Sequence, residues 1–289
     1  MPTLKIIHCT IYRYQRPVSL GPHRLILRPR ESRDLRLHSF ELQVTPDATV
    51  TWANDVAGNF VATATFRVTA EQLVIRSAAM LELTAERWPV FDIGACAISY
   101  PFRYSDDDWA DLGSLTVPAH IDDIGRLRSW VYAFVGGSST DTLSLLRDVN
   151  EGVANAISYE SRDDEGTQGP LDTLDRAVGS CRDLAVLFVE AARTLGFGAR
   201  IVSGYIHDPD LQAVGSAGAG STHAWAEVFV PGAGWIAFDP TNRAVGGSNL
   251  IPVAKVRDIG QAMPISGSFS GPPDSLKEMS VSVTVREMV

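Results

Sequence analysis

Lysine is almost missing from this chain. Of 25 basic residues only Lys5, Lys255 and Lys277 are lysines, and an arginine-rich codon bias accounts for that without a functional reading. Against 34 acidic residues the formal charge is −9. The chain therefore lacks the basic surplus of a phosphate-backbone binder, and no nucleic acid is expected as a partner. Long apolar runs are missing too. No stretch approaches the ~18 residues of a membrane helix, so no membrane partner is expected. The opening, Met1-Pro-Thr-Leu-Lys-Ile-Ile-His-Cys-Thr10, has no apolar segment of signal-peptide type, which points to a cytoplasmic protein. Cysteine is scarce: Cys9, Cys96 and Cys181 are far apart and no C-x-x-C occurs. A disulfide framework and a structural zinc site are thereby disfavoured. The six histidines show no H-x-x-x-H spacing, and no metal or cofactor is expected. Cys9 and Cys96 read as small buried hydrophobes.

What is present is ordinary globular material: 289 residues, 45% apolar and 20% charged, enough for one large domain or two modest ones. Up to about residue 112 the pattern has period two, as in Phe40–Val44 and Phe60–Val68, with turn-prone clusters such as Asn54–Asn59 between the runs. Several short strands at this spacing predict an antiparallel β-sandwich or a partly open barrel. The period then changes. Ile124, Leu127, Val131 and Phe134 share a helical face within 121–134, and Leu145, Val149, Val153, Ala156 and Ile157 repeat that spacing. A third helix carries the stripe Leu184, Leu187, Phe188, Ala191 and Leu195, with Gly196 placed for a left-handed cap. Strands follow at Ala199–Tyr205, Thr222–Phe229, Trp235–Asp239 and Met279–Val285, and Leu211–Ser221 reads as a mobile loop. The layout is α+β, divided as a β-rich domain over 1–112 and a second domain over 113–289.

Cys181 stands out from the other thiols. In Gly179-Ser-Cys-Arg-Asp-Leu184, Ser180 and Asp183 approximate a capping box, which makes Cys181 the first helical residue. Unpaired backbone N–H groups and the positive end of the helix dipole favour a thiolate there, and the same N–H groups could hold an oxyanion. A base is available in Thr222-His-Ala-Trp-Ala-Glu227. If Val230-Pro-Gly232 is a three-residue hairpin loop, Phe229 pairs with Ala233, Trp225 with Ala237, and His223 with Asp239 on one face. The inference depends on the turn, because a slip of one residue would separate the two.

These blocks carry a resemblance. Gly179–Asp183, Leu195-Gly-Phe-Gly-Ala-Arg200, Val202–Tyr205, Thr222–Glu227, Gly234-Trp235 and Phe238-Asp-Pro-Thr-Asn242 are similar, in content and order, to the core of the bacterial transglutaminase-like superfamily. Tyr12–Tyr14, Leu25–Pro29 and Asp55–Asn59 resemble the β-rich domain that precedes this core in many bacterial members, and Val256–Asp258 and Pro264–Gly267 resemble its C-terminal blocks. Ser180 and Arg182 flank the cysteine where Val and Gln are common, and Gln261–Met263 replaces an aromatic and acidic stretch. The resemblance implies a papain-like fold with a Cys181–His223–Asp239 triad.

The leading functional expectation is a cysteine peptidase or amidase that passes an acyl group from Cys181 to water, with a protein or peptide as substrate. The alternatives are a protein-glutamine transglutaminase, in which an amine replaces water, and a catalytically silent interaction module, whose signature would be a lost triad member. Tyr159 and Gln168 are candidates for a second oxyanion donor. Trp225 and Trp235 read as packing residues flanking the triad face, Arg182 and Asp183 as an ion pair at the helix start, and Glu227 as a solvated strand residue or a partner of His223.

Overall fold

A computed structural model describes residues 2–161, 166–207 and 222–288; the loop expected at Leu211–Ser221 lies outside the described residues. The alternating first half forms two antiparallel sheets. One contains β1 (Thr3–Leu20), β3 (Leu35–Thr45), β6 (Thr69–Leu83), β17 (Phe269–Ser270) and β18 (Leu276–Met288), with β1 held between β6 on one side and β17 and β18 on the other. The other contains β2 (His23–Leu25), β4 (Ala48–Asn54), β5 (Phe60–Phe66) and β16 (Ile265–Ser266). Every second residue of β6 from Leu73 to Leu83 is buried, the period-two burial of a strand with one face inward. Leu73 and Ile75 meet Ala62 and Ala64 of β5 and Leu25 of β2 in the core of this half. The strand expected near Met279–Val285 is present as β18. It returns to β1, with Ser282 opposite Cys9, and so leaves the second half.

The second half packs five helices with one antiparallel sheet. The helices are α1 (Asp106–Leu112), α2 (Arg126–Tyr132), α3 (Thr142–Ala156), α4 (Pro170–Arg176) and α5 (Cys181–Thr194). The sheet runs in the order β14 (Ala244–Val245), β13 (Gly234–Asp239), β12 (Thr222–Val230), β11 (Ala199–Ile206) and β15 (Leu250–Val256). Two short pairs complete it: β7 (Ser99–Tyr100) with β8 (Thr140–Asp141), and the parallel β9 (Ser158–Tyr159) with β10 (Val178–Gly179). No described helix is long and apolar enough to cross a membrane.

α3 buries Leu145, Val149 and Val153, as their spacing predicts. α2 is shorter than the helix expected over 121–134. Gly125 sits at φ +68°, and the Asp122 carboxylate accepts from the N–H groups of Arg126 at 2.8 Å and Arg128 at 3.0 Å, so the helix starts there. Leu127 and Val131 turn inward while Ile124 is 82% exposed.

α5 is buried without a break from Asp183 to Arg193, so it is a central helix more than an amphipathic one. Its enclosure brings an ion pair inside. Arg193 Nη1 meets Glu190 Oε1 at 2.7 Å, and Glu190 Oε2 accepts from the N–H groups of Ala119 at 2.8 Å and His120 at 2.9 Å. Arg193 also donates to the carbonyls of Leu115, Ala199 and Arg257. The pair ties the segment before α2, and the strands on either side, to the helix that begins with Cys181. Gly196 follows the helix at φ +90°, the left-handed cap its position predicts.

Candidate active site

Three elements converge at the start of α5. Ser180 is its N-cap, Ser180 and Asp183 form a capping box, and Cys181 is the first helical residue. The Asp183 carboxylate is fully buried. Its Oδ2 accepts from the Ser180 N–H at 2.8 Å and the Ser180 hydroxyl at 2.9 Å, and its Oδ1 from the Gln168 N–H at 2.7 Å. Asp183 therefore fixes the turn that presents the thiol. Arg182 is half-buried.

The β12–β13 hairpin supplies the other two residues, in a register shifted from the expected one. Phe229 pairs with Trp235 and Val230 with Gly234, so the three-residue loop is Pro231–Ala233. Gly232 is required in it. Its φ is +86°, and a Cβ would lie 2.4 Å from the Gly94 nitrogen. The shift is two residues, which preserves side-chain parity. His223 and Asp239 therefore still share a face but meet diagonally, one rung apart. His223 Nε2 lies 2.7 Å from Asp239 Oδ2, and Cys181 stands near enough to the same ring to favour its charged form. His223 is 7% and Asp239 1% exposed, while Cys181 is half-buried.

The chain after Asp239 completes the carboxylate's surroundings. Its Oδ1 accepts from the N–H groups of Thr241 at 3.1 Å and Asn242 at 3.3 Å, and the Asn242 side chain donates to Oδ2 at 2.7 Å. Asn242 Nδ2 also stands 3.4 Å from His223 Nε2. Neither residue was expected at the site, although Asp-Pro-Thr-Asn is a sequence in which an Asp side chain can close back on the following backbone. Burial alone disfavours a charged imidazole, but the Asp239 carboxylate and then Cys181 outweigh it, pushing His223 up to about 10. The ring is built to hold a proton.

The remaining candidates separate. Tyr159 pairs with Gly179 across the β9–β10 bridge. Its hydroxyl is raised first by burial and next by the charge of Cys181, so it stands near the thiol. Gln168 spends its side-chain amide on the Val178 carbonyl at 3.2 Å and Asp183 at 3.3 Å, which leaves it holding the capping turn rather than a substrate oxygen. Trp225 stacks on His223, with ring centroids 6.1 Å apart at 24°. Trp235 instead carries the Arg200 guanidinium, 3.7 Å above its ring. Glu227 is neither solvated nor a partner of His223: it meets Arg200 at 2.6 Å and Lys255 at 2.9 Å. Of the other thiols, Cys9 is half-buried but Cys96 is exposed, against the expectation of a buried hydrophobe. Among the described residues no group of His, Cys, Asp and Glu is arranged to hold a metal ion.

These thiols give the first test. Iodoacetamide near pH 6–7 is expected to label Cys181 faster than Cys96, although Cys96 is the more exposed, because only Cys181 combines a helix start with a protonated imidazole. Faster labelling of Cys96 in the folded protein, read by peptide mass spectrometry, would remove the special status of Cys181.

The comparisons agree with this architecture. Residues 128–240 match the transglutaminase-like superfamily core and residues 4–82 the bacterial transglutaminase-like N-terminal region, together about two thirds of the chain. The chain belongs to the transglutaminase-like superfamily, as a bacterial-type member with both regions. It is 25% identical to the uncharacterized protein ML0607 of Mycobacterium leprae, an alignment covering 97% of this chain and 98% of that one. The fold is shared with a Cytophaga hutchinsonii protein, described provisionally as a cysteine protease, at 21% identity and a TM-score of 0.74 over 100% of this chain and 92% of that one. The periplasmic domain of TgpA from Pseudomonas aeruginosa aligns over 81% of this chain and 87% of its own at 12% identity, with a TM-score of only 0.38.

Proposed function

We propose that the chain is a thiol-dependent amide hydrolase of peptidase or amidase type, and that Cys181, His223 and Asp239 are its catalytic triad. The observation that carries the reading is the buried His223–Asp239 pair at 2.7 Å, with the cysteine of a helix start near the same ring. Cys181 Sγ attacks the carbonyl carbon of a peptide or protein amide, its proton having passed to His223. The oxyanion that forms faces the free N–H groups of the first turn of α5, with Tyr159 as the side chain placed to add a second donor. The C–N bond then breaks as His223 returns the proton to the leaving amine, and a thioester remains on Cys181. Water, deprotonated by His223, attacks the thioester, and the carboxylic acid departs as the thiol is restored. Asp239 stays ionised throughout and orients the ring, while Thr241 and Asn242 hold Asp239. The three free thiols suit a reducing compartment, and the reading places the reaction in the cytoplasm.

The deciding experiment incubates the protein with a proteome digest, with and without a small primary amine, and reads the products by mass spectrometry. New N-termini that vanish with Cys181→Ala support hydrolysis. Amine adducts on glutamine would replace that reading by transamidation, and no product of either kind would favour a silent module.

A further inference from the structure

The turn that carries Asn242 is held from outside the site. Asp239 and Ala244 face one another where β13 passes into β14, and residues 240–243 close the turn between them. Arg243 ends it at φ +54°, a left-handed position that ordinarily goes to glycine or asparagine. A long cationic side chain kept there points to a constraint imposed from elsewhere. Arg243 Nη1 donates to Glu151 Oε2 at 2.8 Å and to Asn155 Oδ1 at 2.6 Å, and its Nη2 to the Ala154 carbonyl at 3.0 Å. That carbonyl lies in the last turn of α3, where intrahelical partners run out, and α3 has no basic residue of its own there. Arg243 supplies the cation that the negative end of the helix favours. Both sides of the contact lead to the site. Asn242, next to Arg243, donates to Asp239 Oδ2 at 2.7 Å, the oxygen that His223 also meets. Just beyond α3 the chain enters β9, which carries Tyr159.

We propose that Arg243 is a positioning residue: it clamps the turn after Asp239 to the end of α3, and so keeps the carboxylate aimed at His223. The inference rests on the triad reading of the proposed function. The ion pair itself is half exposed, 46% for Arg243 and 48% for Glu151, and such pairs add little to global stability. What it fixes is the geometry of one turn. The groups that face the His223 ring are Asp239, Cys181 and Asn242, with Tyr159 beside the thiol. Two effects of losing Arg243 then oppose each other. Removing a positive charge, by itself, favours a protonated ring. Letting the Asp239 carboxylate drift from its 2.7 Å contact weakens its hold on that proton, and for a clamp this second effect prevails.

Histidine labelled at Cε1 allows the His223 ring to be titrated by NMR without a substrate, its signal assigned by its loss in His223→Ala. Arg243→Gly, which suits the left-handed turn, should lower the midpoint by about one unit or more. On a substrate from the digest screen it should lower kcat ~10-fold at a nearly unchanged KM, with a Tm within about 2 °C of wild type. Arg243→Lys keeps the charge but loses the fork that reaches three acceptors, and should resemble Arg243→Gly more than wild type. Glu151→Gln with Asn155→Ala leaves the turn untouched and should shift the midpoint the same way. An unmoved midpoint in both Arg243→Gly and this α3 double variant would overturn the proposal. A raised midpoint, the mark of charge alone, would overturn it too. Turnover that persists in Cys181→Ala would sink the triad reading instead, and the titration decides the clamp in either case.

Discussion

Cys181→Ala will abolish turnover on any amide substrate found by the digest screen, His223→Ala will leave a trace, and Asp239→Asn will lower turnover by about 10–10³-fold. The gradation follows from the order of the residues. In the proposed mechanism Cys181 forms the covalent bond, so nothing replaces it. His223 would carry the proton in both half-reactions. Asp239 acts on the ring alone, and in serine triads loss of the carboxylate costs up to ~10⁴; a thiol is more acidic than a serine hydroxyl and depends less on the third member. The same carboxylate is the largest force raising His223 to about 10. Asp239→Asn should therefore let the ring lose its proton at lower pH, moving the alkaline limb of kcat/KM toward neutrality. Stability follows the same group. A histidine held at about 10, against ~6.5 unfolded, stabilises fully below pH 6.5 and loses that contribution as pH rises through 10. The melting difference between wild type and Asp239→Asn should narrow across that window. Full activity of Asp239→Asn at an unchanged Tm would remove Asp239 from the site.

Glu190→Ala and Arg193→Ala should be among the most destabilising single changes in the molecule. Their side chains are 2% and 1% exposed and 2.7 Å apart, and removing one partner strands the other's charge inside. That costs ~3–5 kcal/mol, or about 10 °C in Tm for a chain of this length. Replacing both together, Glu190→Leu with Arg193→Met, should cost clearly less than the two singles combined. Burial pushes the Glu190 carboxyl up, but His120, its backbone N–H and Arg193 outweigh this and hold it below the usual range. The destabilisation by Glu190→Ala should accordingly be full above pH ~4.5 and shrink as pH falls below it. A Tm within about 2 °C of wild type for either single variant would show that the pair is solvated and dispensable.

Much of the site was legible because its determinants are local. Ser180 and Asp183 are three residues apart, and the capping box needs no more than that. The pairing of His223 with Asp239 survived an incorrect turn because strand parity depends only on whether the slip is odd or even. The loop itself was misplaced by one residue, and the register by two, because Gly232 and Gly234 both adopt positive φ, and the residues alone do not say which one ends the turn. Asn242 was overlooked although it follows Asp239 closely, since its role depends on the chain folding back after Pro240. The Glu190–Arg193 pair shows the opposite limit. An i, i+3 pair on a helix reads as surface charge until tertiary packing encloses both sides. Glu227 likewise became a buried partner of Arg200 and Lys255 only because β11 lies beside its strand and β15 next to β11.

The return of β18 to β1 also sets an order of events during synthesis. Thr3 and Met288 are opposite one another in the finished sheet, so β1 leaves the ribosome well before the strand that will flank it. Until then β1 has β6 on one side and open backbone on the other, a surface prone to wrong pairing. The helices and sheet of the second half can be complete before that strand arrives. Closure of the first half should be the slow, late step of maturation, as contacts so distant along the chain carry the greatest loop-closure cost.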